Sequence, residues 1–360
     1  MLYASGRLLD KEYINTVRLV RLKGSDQMAV INVTPLTDIT ALIASESVNE
    51  GDVLLLEEGI YFQSVIIPKN NIRIIAKGSK VIFDGKSTLI TAFLLSNVTG
   101  VLIDGINIRY YRANGIEIDS GYGNRIIKNT INNTFNFGIS ILDSSNNLLW
   151  KNEVSKCNDG IRLSAASTNN WIIENTAKEC SDDGFESISA ANNNAYISNK
   201  AIRNRFAGFE IVGSNNLLFE NSSIDNVQGI IIGSGSDTMI IGNTIIGSRT
   251  DALTITGQRN NFTAENYIEC TRQAGIFHLG QFGTFLSNEI SYSGNDGILL
   301  GSSVRDLVMD NKLTCNLPEN INDDGRDNVL INNIEKQCEP CGSPSDICGD
   351  NCDVKENSSN

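Results

Sequence analysis

The sequence predicts an all-β fold in which short parallel strands stack, coil upon coil, along a single axis. Three observations lead to this prediction. An asparagine returns every 22 to 24 residues, a glycine returns with a similar period, and each glycine opens a short run in which alternate residues are apolar. A period this regular indicates a repeat architecture in which each unit covers the apolar face of the one before it.

The asparagine repeat marks a turn that every coil shares. Asparagine tolerates left-handed backbone angles, and its amide can donate to one coil while accepting from the next. Stacked asparagines can therefore satisfy one another inside the molecule. We predict that Asn175, Asn199 and Asn221 are buried and hydrogen-bonded from coil to coil. The members of this asparagine ladder are Asn129, Asn152, Asn175, Asn199, Asn221, Asn243, Asn266, Asn288, Asn311 and Asn333.

The glycine repeat marks the start of one strand in each coil. The residue after the glycine is Ile, Leu or Phe, and the residue two further on is again apolar in most repeats. This alternation has the period of a β-strand and places both positions in the core. Ala252 takes the place of the one missing glycine. The glycines are Gly115, Gly138, Gly160, Gly184, Gly208, Gly229, Gly275 and Gly297.

Two further strands complete each coil, which predicts three parallel sheets. One strand ends at the ladder asparagine, as in Leu149-Trp150-Lys151-Asn152, and another follows it, as in Asn243-Thr244-Ile245-Ile246. The residue two positions before the asparagine is apolar in every repeat, so we expect it to point into the core. This row comprises Ile127, Trp150, Ile173, Ile197, Phe219, Ile241, Ala264, Leu286, Met309 and Ile331.

From about residue 35 to residue 335 the repeats resemble those of the right-handed parallel β-helix, or pectin-lyase-like, superfamily. They are also similar to the repeats of a periplasmic β-helix family whose name refers to copper and to carbohydrate binding. The resemblance implies a single-stranded right-handed parallel β-helix of about 12 coils, with a helical cap at its N-terminal end. One histidine and four methionines give no copper site.

The pattern divides the chain into three parts. Residues 34–335 form the β-helix, closed at its first coil by a short helix over Pro35–Ser47 with Thr34 as N-cap. Residues 1–33 form an N-terminal extension that is loosely attached or non-native, and in the second case the native chain starts at Met28. Residues 336–360 form a cysteine-rich tail that we expect to be flexible.

Composition excludes some partners. The net charge of −13 disfavours binding to nucleic acid. No apolar run approaches 18 residues, so no membrane insertion is expected, and no secretory signal is visible. The fold favours an extracellular or cell-surface location, while the oligomeric state stays open.

The eight cysteines fall into two sets. Cys157, Cys180, Cys270 and Cys315 each follow a ladder asparagine by four or five residues, and we expect them to be small core thiols. The other four lie close together in the tail, where zinc, disulfides and free thiols are all open, with disulfides favoured over zinc by the turn-forming neighbours. This set is Cys338, Cys341, Cys348 and Cys352.

Charge concentrates on the central coils. Arg162, Glu186 and Glu210 each stand two residues after a ladder glycine, in three consecutive repeats, and Asp182 and Asp183 precede one of these glycines. Glu186 and Glu210 are expected about 5 Å apart, since neighbouring strands have about that spacing. Like charges at that distance are unfavourable unless they are paired or bridged by a cation.

These residues suit two kinds of chemistry. Carboxylates are the hard oxygen ligands that Ca²⁺ prefers, and paired carboxylates serve as acid and base in glycoside hydrolysis. An arginine at the adjoining turn could neutralise a uronate carboxylate. The segment Ser181-Asp182-Asp183-Gly184-Phe185-Glu186 also resembles the Asp-Asp-Gly-Phe turn of some calcium-dependent β-helix polysaccharide lyases.

The candidate site is a surface groove on the central coils. The alternative is a solvated turn whose carboxylates are compensated by arginines. The expected catalytic residues are Asp183, Glu186 and Arg205; the expected substrate-binding residues are Arg162, Glu210, Phe206 and Phe137; the expected ligands of a Ca²⁺ cofactor are Asp182, Asp183 and Glu186.

His278, the single histidine, falls on an inward position, between Ile255 and Leu300 of the neighbouring repeats. We expect a nearly inaccessible core side chain rather than a catalytic base. The Gly-His-Gly and Arg-Ile-Lys signatures of polygalacturonase-like proteins and the Asp-Pro-His of alginate epimerases are absent from the sequence.

The resemblance implies a carbohydrate-active protein, either a polysaccharide lyase or a glycoside hydrolase, whose partner is a polysaccharide or oligosaccharide. The alternatives are a non-catalytic carbohydrate-binding β-helix and a structural rod at a surface. Catalysis requires central carboxylates with perturbed pKa values in a groove. Binding requires only aromatic and amide groups there, and a structural role requires neither.

Overall fold

Each full coil contributes one strand to each of three parallel sheets, as the sequence predicted. The computed structural model describes residues 28–338. Sheet A has 14 strands, sheet B has 13 and sheet C has 12, and each strand pairs with its counterparts in the neighbouring coils. About thirteen coils therefore stack, and at about 4.8 Å per coil the rod is roughly 60 Å long.

Most strands are three residues long. In sheets A and B such a strand presents one inward side chain between two outward ones, whereas in sheet C it presents one outward side chain between two inward ones. Sheet A comprises Val30–Val33, Val53–Leu56, Arg73–Ala76, Leu102–Asp104, Arg125–Ile127, Leu148–Trp150, Trp171–Ile173, Ala195–Ile197, Leu217–Phe219, Met239–Ile241, Phe262–Ala264, Thr284–Leu286, Leu307–Met309 and Val329–Ile331. Sheet B comprises Gly59–Tyr61, Val81–Asp84, Asn107–Arg109, Thr130–Asn132, Glu153–Ser155, Thr176–Lys178, Lys200–Ile202, Ser222–Ile224, Thr244–Ile246, Tyr267–Thr271, Glu289–Ser293, Lys312–Thr314 and Ile334–Lys336. Sheet C comprises Val65–Ile66, Phe93–Ser96, Ile116–Asp119, Phe137–Leu142, Asp159–Ser164, Phe185–Ser187, Ala207–Ile211, Gln228–Ile232, Leu253–Ile255, Ile276–His278, Ile298–Leu300 and Ile321–Asp323.

The core is a set of apolar columns that run along the axis. The residues after the ladder glycines are inward, as predicted, and Ile161, Phe185 and Phe209 are fully buried. The rings of Phe185 and Phe209 stack with centroids 4.7 Å apart. Glycine is favoured at the ladder position because a Cβ on Gly160 would lie 2.5 Å from the carbonyl oxygen of Gly184 in the next coil, and Ala252 is the one exception.

The predicted asparagine ladder is confirmed. Asn175 donates its Nδ2–H to Asn199 Oδ1 at 3.1 Å, and Asn199 donates in turn to Asn221 Oδ1 at 3.0 Å. All three side chains are buried. Each amide thus satisfies its neighbour inside the turn between sheets A and B.

A second ladder, which the sequence analysis missed, precedes the strands of sheet A. Asn147 donates its backbone N–H to Asn170 Oδ1 at 3.0 Å, and Asn170 does the same to Asn194 Oδ1 at 2.9 Å. Its regular members, which alternate with the first ladder in the chain, are Asn124, Asn147, Asn170, Asn194 and Asn216.

The row two positions before the first ladder was placed on the wrong side. Ile126 and Leu218, one residue earlier, are the fully buried side chains. Ile127 and Phe219 are partly exposed on the outer face of sheet A. Both rows are apolar, so composition could not tell the inward row from the outward one.

The helical cap is shorter than predicted. The helix spans Ile39–Ala44, and its N-cap is Asp38, whose side chain accepts the Ala41 N–H at 2.9 Å. The preceding residues form a turn, closed by a hydrogen bond from the Thr37 N–H to the Thr34 carbonyl oxygen at 3.0 Å. Thr34 therefore begins a turn that precedes the helix, and it does not cap the helix.

Strands also occur just beyond the predicted boundaries. Val30–Val33 pairs with Val53–Leu56, and Ile334–Lys336 is the last strand of sheet B. Residues 1–27 and 339–360 lie outside the described residues, so the start at Met28, the loose extension and the flexible tail stay predictions.

The cysteines follow the prediction in part. Cys157 and Cys180 are buried thiols. Cys315 was expected to be a core thiol but is bonded to Cys338, which had been assigned to the tail set. The two residues are 23 positions apart, about one coil, so stacking brings their Cα atoms to 4.8 Å. The remaining tail cysteines (Cys341, Cys348 and Cys352) lie outside the described residues.

Candidate functional site

The outer face of sheet C carries the charged column that the sequence register predicted. Ser140, Arg162, Glu186 and Glu210 occupy paired positions on four successive strands. Side chains in such a column are about 4.8 Å apart. The next strand has Ile231 at this position, so the charge ends there.

Two buried aspartates precede this column, each directly before a ladder glycine. Asp159 and Asp183 are each only 2% exposed. Asp183 Oδ1 accepts the Ala207 N–H at 2.7 Å, and Asp159 Oδ1 accepts the Asp183 N–H at 3.4 Å. Asp251 and Asp296 make similar bonds further along the rod. The position therefore links successive coils, a structural role that the sequence analysis did not anticipate.

The carboxylates form two overlapping groups. One is Asp183, Glu186 and Glu210, with an oxygen of each within 4.8 Å of the others. The second is Asp159, Asp182 and Asp183, within the same limit. The predicted ligands Asp182 and Glu186 thus fall in different groups. Asp159 was not among the predicted site residues, although it occupies the register of Asp183 one coil earlier. We call these five residues the acidic cluster.

Burial dominates the electrostatics of the acidic cluster. Loss of solvent raises the pKa of Asp183 to about 9, against the opposing hydrogen bond from the Ala207 N–H. The nearby carboxylates of Glu210 and Asp182 raise this pKa further. Burial also raises the pKa of Asp159. At neutral pH the cluster therefore holds protons that isolated carboxylates would release.

Glu186 is the partly exposed acid of the cluster whose ionisation is centred near neutrality. Burial, reinforced by Asp159, raises its pKa to about 7, and the charge of Arg162 opposes the rise. Arg162 Nε lies 2.8 Å from Glu186 Oε2, and its guanidinium lies over the Phe137 ring at 4.5 Å from the centroid. Arg162 and Phe137, both predicted to bind substrate, are thus already engaged with each other and with the cluster.

Arg205 lies at the adjoining turn rather than in the cluster. It helps to line a cleft of about 900 Å³ between sheets B and C, which we call the basic cleft. Among the described residues its side chain has no ion-pair partner, whereas Arg203 pairs with Glu179 at 3.3 Å. The next residue, Phe206, is 37% exposed. The cleft is lined by Thr134, Phe135, Asn136, Lys156, Cys157, Asn158, Glu179, Ser181, Arg203 and Arg205.

The basic cleft and the acidic cluster are adjacent along the chain. Ser181 lines the cleft and is followed by two cluster residues, and Asn158 lines the cleft and is followed by Asp159. The predicted single groove is therefore two connected regions, one acidic on sheet C and one basic at the turn before it.

The donor set of the cluster suits Ca²⁺. This ion takes about six to eight oxygen ligands at about 2.3–2.6 Å, so its ligand atoms lie within about 5 Å of one another. Each three-carboxylate group meets that limit, since its oxygens are within 4.8 Å of one another. Such an ion would have to displace the protons that burial retains, because carboxylates bind metals in the ionised form.

His278 is a core residue, as predicted. It is 1% exposed and pairs in register with Ile255 and Leu300. Its Nε2 lies 3.4 Å from Oδ2 of Asp306, which is also buried. Gly283 stands in place of a second-ladder asparagine here, and a Cβ on it would lie 3.0 Å from His278 Nε2. The imidazole fills the space that the missing asparagine leaves.

Three stacked parallel sheets with these ladders define a β-solenoid, and sequence comparison assigns its class. Residues 62–224 and 172–317 match the family described as right handed beta helix region. Together the two matches span more than half of the chain, so the protein belongs to this family. A search of curated proteins gives no match. The described part of the chain contains no helix long and apolar enough to cross a membrane.

Solved structures share this fold at low sequence identity. The periplasmic alginate epimerase AlgG is 13% identical, with a TM-score of 0.56 over 84% of this chain and 83% of that one. The catalytic domain of a GH87 α-1,3-glucanase is 16% identical, with a TM-score of 0.57 over 89% and 67%. PfbA, a surface adhesin of Streptococcus pneumoniae, is 12% identical, with a TM-score of 0.51 over 82% and 86%.

Proposed function

We propose that this protein is a carbohydrate-active enzyme that hydrolyses glycosidic bonds at the acidic cluster. The observation that carries the proposal is the grouping of Asp183, Glu186 and Glu210, whose carboxylate oxygens lie within 4.8 Å of one another on two successive coils. Burial and neighbouring carboxylates raise the pKa of Glu186 to about 7 and that of Asp183 to about 9, and raised pKa values of this kind suit a general acid at neutral pH.

In this proposal Glu186 is the general acid. Its pKa of about 7 lets it hold a proton at neutral pH and release it to the glycosidic oxygen. Glu210, one coil further on, acts as the second carboxylate. Their oxygens lie within 4.8 Å of each other, which is closer to the separation of about 5–5.5 Å in retaining enzymes than to that of inverting ones. Asp183 is too buried to meet a sugar and acts as a positioning residue.

The basic cleft would hold the sugar chain beside these acids. Phe135 is 79% exposed and Phe206 is 37% exposed at turns three coils apart, and aromatic rings offer apolar surface to the faces of sugar rings. Arg205, which has no ion-pair partner within residues 28–338, can bind a carboxylate on the sugar. The structural neighbours support a saccharide ligand by analogy of fold, since one is an alginate epimerase and the α-1,3-glucanase is in complex with tetrasaccharides.

A calcium-dependent polysaccharide lyase is the second candidate. The observation that favours it is the pair of three-carboxylate groups that share Asp183. Ca²⁺ there would be held by Asp159, Asp182 and Asp183 or by the group on sheet C, and it would neutralise a uronate carboxylate. A non-catalytic carbohydrate-binding protein remains the alternative if no substrate is cleaved.

A polysaccharide screen with and without Ca²⁺ tests both enzymes. Hydrolysis releases reducing ends alone, whereas a lyase also leaves unsaturated ends that absorb in the ultraviolet. We expect Glu186→Gln and Glu210→Gln to lower kcat by at least about 100-fold. The matched control is Glu117→Gln, in the same outward column but outside the cluster. As general acid, Glu186 must be protonated, so activity should fall as the pH rises through about 7.

Two results would contradict the proposal of an enzyme. One is the absence of new ends with every polysaccharide, in which case ligand-induced changes in melting temperature identify a binding protein. The other is an equal loss of activity in Glu117→Gln, which would mean that the column matters only for folding.

A further inference from the structure

The outer face of sheet A is apolar over nine successive strands, from Leu148–Trp150 to Val329–Ile331. Each strand presents two outward residues, and of these eighteen only Thr284 is polar. Trp171 is 51% exposed and Met239 is 50% exposed. We call this surface the apolar face. Its two columns are Leu148, Trp171, Ala195, Leu217, Met239, Phe262, Thr284, Leu307 and Val329, and Trp150, Ile173, Ile197, Phe219, Ile241, Ala264, Leu286, Met309 and Ile331.

Sheet B shows that the fold does not require apolar residues at outward positions. Over the same coils it has the same alternation and also presents eighteen outward residues at the matching strand positions. Thirteen of these are polar or charged. The apolar members are Ile202, Ile224, Ile246, Tyr267 and Ile334. The apolar face is therefore a property of one sheet and not of outward positions in general.

The apolar face is large enough for a stable interface. Nine strands at about 4.8 Å make it about 40 Å long, and two columns with their side chains make it about 12 Å wide. This footprint of roughly 500 Å² is at the upper end of apolar patches on monomeric proteins. With the residues at its edges it approaches the roughly 800 Å² per partner of a standard interface.

We propose that the apolar face binds the apolar face of a second copy of this chain. A second copy carries the same rows at the same spacing of about 4.8 Å, so its side chains can fit between those of the first on all the strands of the two faces that overlap. Two sheets that pack face to face in this way lie about 10 Å apart. A partner without this period would match only a few rows.

Charges along one edge of the apolar face favour an antiparallel pairing. The edge is the row of left-handed turn residues that directly precede the ladder asparagines. A two-fold axis across the rods brings this edge against itself in the opposite direction. In order along the rod the row reads Lys151, Glu174, Ser198, Glu220, Gly242, Glu265, Ser287, Asp310 and Asn332.

One register avoids every like-charge contact in this row. With the axis between the coils of Glu220 and Gly242, Lys151 faces Asp310 of the second copy and each glutamate faces an uncharged residue. A shift by one coil in one direction puts Glu174 opposite Glu265. A shift in the other direction puts Glu174 opposite Asp310. Like charges directly opposite each other are destabilising, so the first register is favoured.

Sedimentation of the full chain tests the interface. We expect a dimer, and we expect Ile241→Lys, at the centre of the apolar face, to weaken dimerisation by at least about 100-fold because it buries an unpaired charge. The matched control is Ile246→Lys, which changes an outward isoleucine of sheet B in the same coil. That variant should remain a dimer, and both variants should keep the melting temperature of the folded monomer within a few degrees.

A separate experiment tests the antiparallel orientation of the two copies. Lys151 and Asp310 lie seven coils apart in one copy, roughly 34 Å, so a zero-length carbodiimide cross-link between them must join two copies. Lys151→Glu should weaken the dimer several-fold, and adding Asp310→Lys should restore it. A wild type that is monomeric, a dimer that survives Ile241→Lys, or equal dissociation by Ile246→Lys would overturn the proposal. A monomer would mean that a different partner or another segment of the chain covers the apolar face.

Discussion

The turn between sheets A and B and the turn between sheets B and C contain the same kind of inter-coil hydrogen bond. The accepting group is an amide in the first and, in the acidic cluster, a carboxylate in the second. In both, a buried side-chain oxygen accepts a backbone N–H from a neighbouring coil. Asn199 Oδ1 accepts the Asn175 N–H at 2.9 Å, and Asp183 Oδ1 accepts the Ala207 N–H at 2.7 Å. The amide then donates onward to Asn221, whereas a carboxylate can donate only while it holds a proton.

The use of amides at one turn and carboxylates at the other shows which side chain the inter-coil hydrogen bond requires. An amide ladder is neutral, so it can run through ten repeats without accumulating charge. Asn114 makes the same inter-coil bond at the second turn, accepting the Phe137 N–H at 3.2 Å. An amide therefore suffices at that position. Asp251 and Asp296 show that a carboxylate can also make this bond outside the acidic cluster. What distinguishes Asp159 and Asp183 is therefore their grouping with other carboxylates.

A carboxylate placed in the amide ladder should have the largest effect. Asn199→Asp removes the donor to Asn221 Oδ1 and to the Ile172 carbonyl, and it buries a charge among neutral amides without a counter-ion. We expect it to lower the free energy of unfolding by about 3–5 kcal/mol at neutral pH. Asn199→Ala, which adds no charge, should cost about 1–3 kcal/mol. Denaturant unfolding measures both.

The control for this substitution is Asn193→Asp, at an exposed left-handed turn position of the same coil. Aspartate tolerates that backbone conformation, so the change should stay within about 0.5 kcal/mol. Equal stability of the two aspartate variants would mean that the ladder amides contribute little.

The repeat made the fold predictable because two periods are superimposed in the sequence. The coil period gives the stacking, and the alternation of residues gives the inward positions. The alternation failed only in sheet A, where inward Ile126 and outward Ile127 are both apolar. In sheet A the inward residues are apolar because they lie in the core, and the outward residues are apolar as well. The sequence therefore does not show which residues point inward.

The sequence predicted which site residues occupy matching positions on neighbouring strands. It did not predict which side chains contact one another. Equal spacing from the ladder glycines placed Glu186 beside Glu210, as the structure confirms. The same spacing placed Arg162 beside Glu186, but it could not show that the Arg162 guanidinium lies over the Phe137 ring, or that Arg205 turns toward the basic cleft. These outcomes depend on side-chain direction at the turns, which the repeat pattern does not encode.

Replacing a carboxylate by an amide at the turn between sheets B and C should raise the free energy of unfolding. The pKa of Asp183 is raised to about 9 and that of Glu186 to about 7, so the native state binds protons that the unfolded state has released. Their contribution to stability is complete below their ordinary pKa and is lost as the pH rises through about 7 and then about 9. The wild type should therefore lose stability from mildly acidic to alkaline pH.

Asp183→Asn keeps an oxygen for the Ala207 N–H and removes the titration. We expect it to be more stable than the wild type at pH 8, on the order of 2–4 kcal/mol, and to depend less on pH. The matched control is Asp251→Asn, which accepts the Ala274 N–H in the same way but lies outside the acidic cluster. A larger gain in that variant would show that burial alone, without the neighbouring carboxylates, sets the cost.

The smallest effect is expected where a carboxylate already stands in an amide ladder and has a partner. Asp306 follows Gly283 in the second ladder, and His278 Nε2 lies 3.4 Å from its Oδ2. His278→Leu should keep the fold and any activity but lower the free energy of unfolding by about 1–3 kcal/mol, because the buried carboxylate loses its neighbour. Adding Asp306→Asn should recover most of this loss, since asparagine is the usual residue of that ladder and can still accept the Gly283 N–H. Thermal unfolding of the single and double variants decides the matter: if the double variant is no more stable than His278→Leu, the charge of Asp306 is not what His278 compensates.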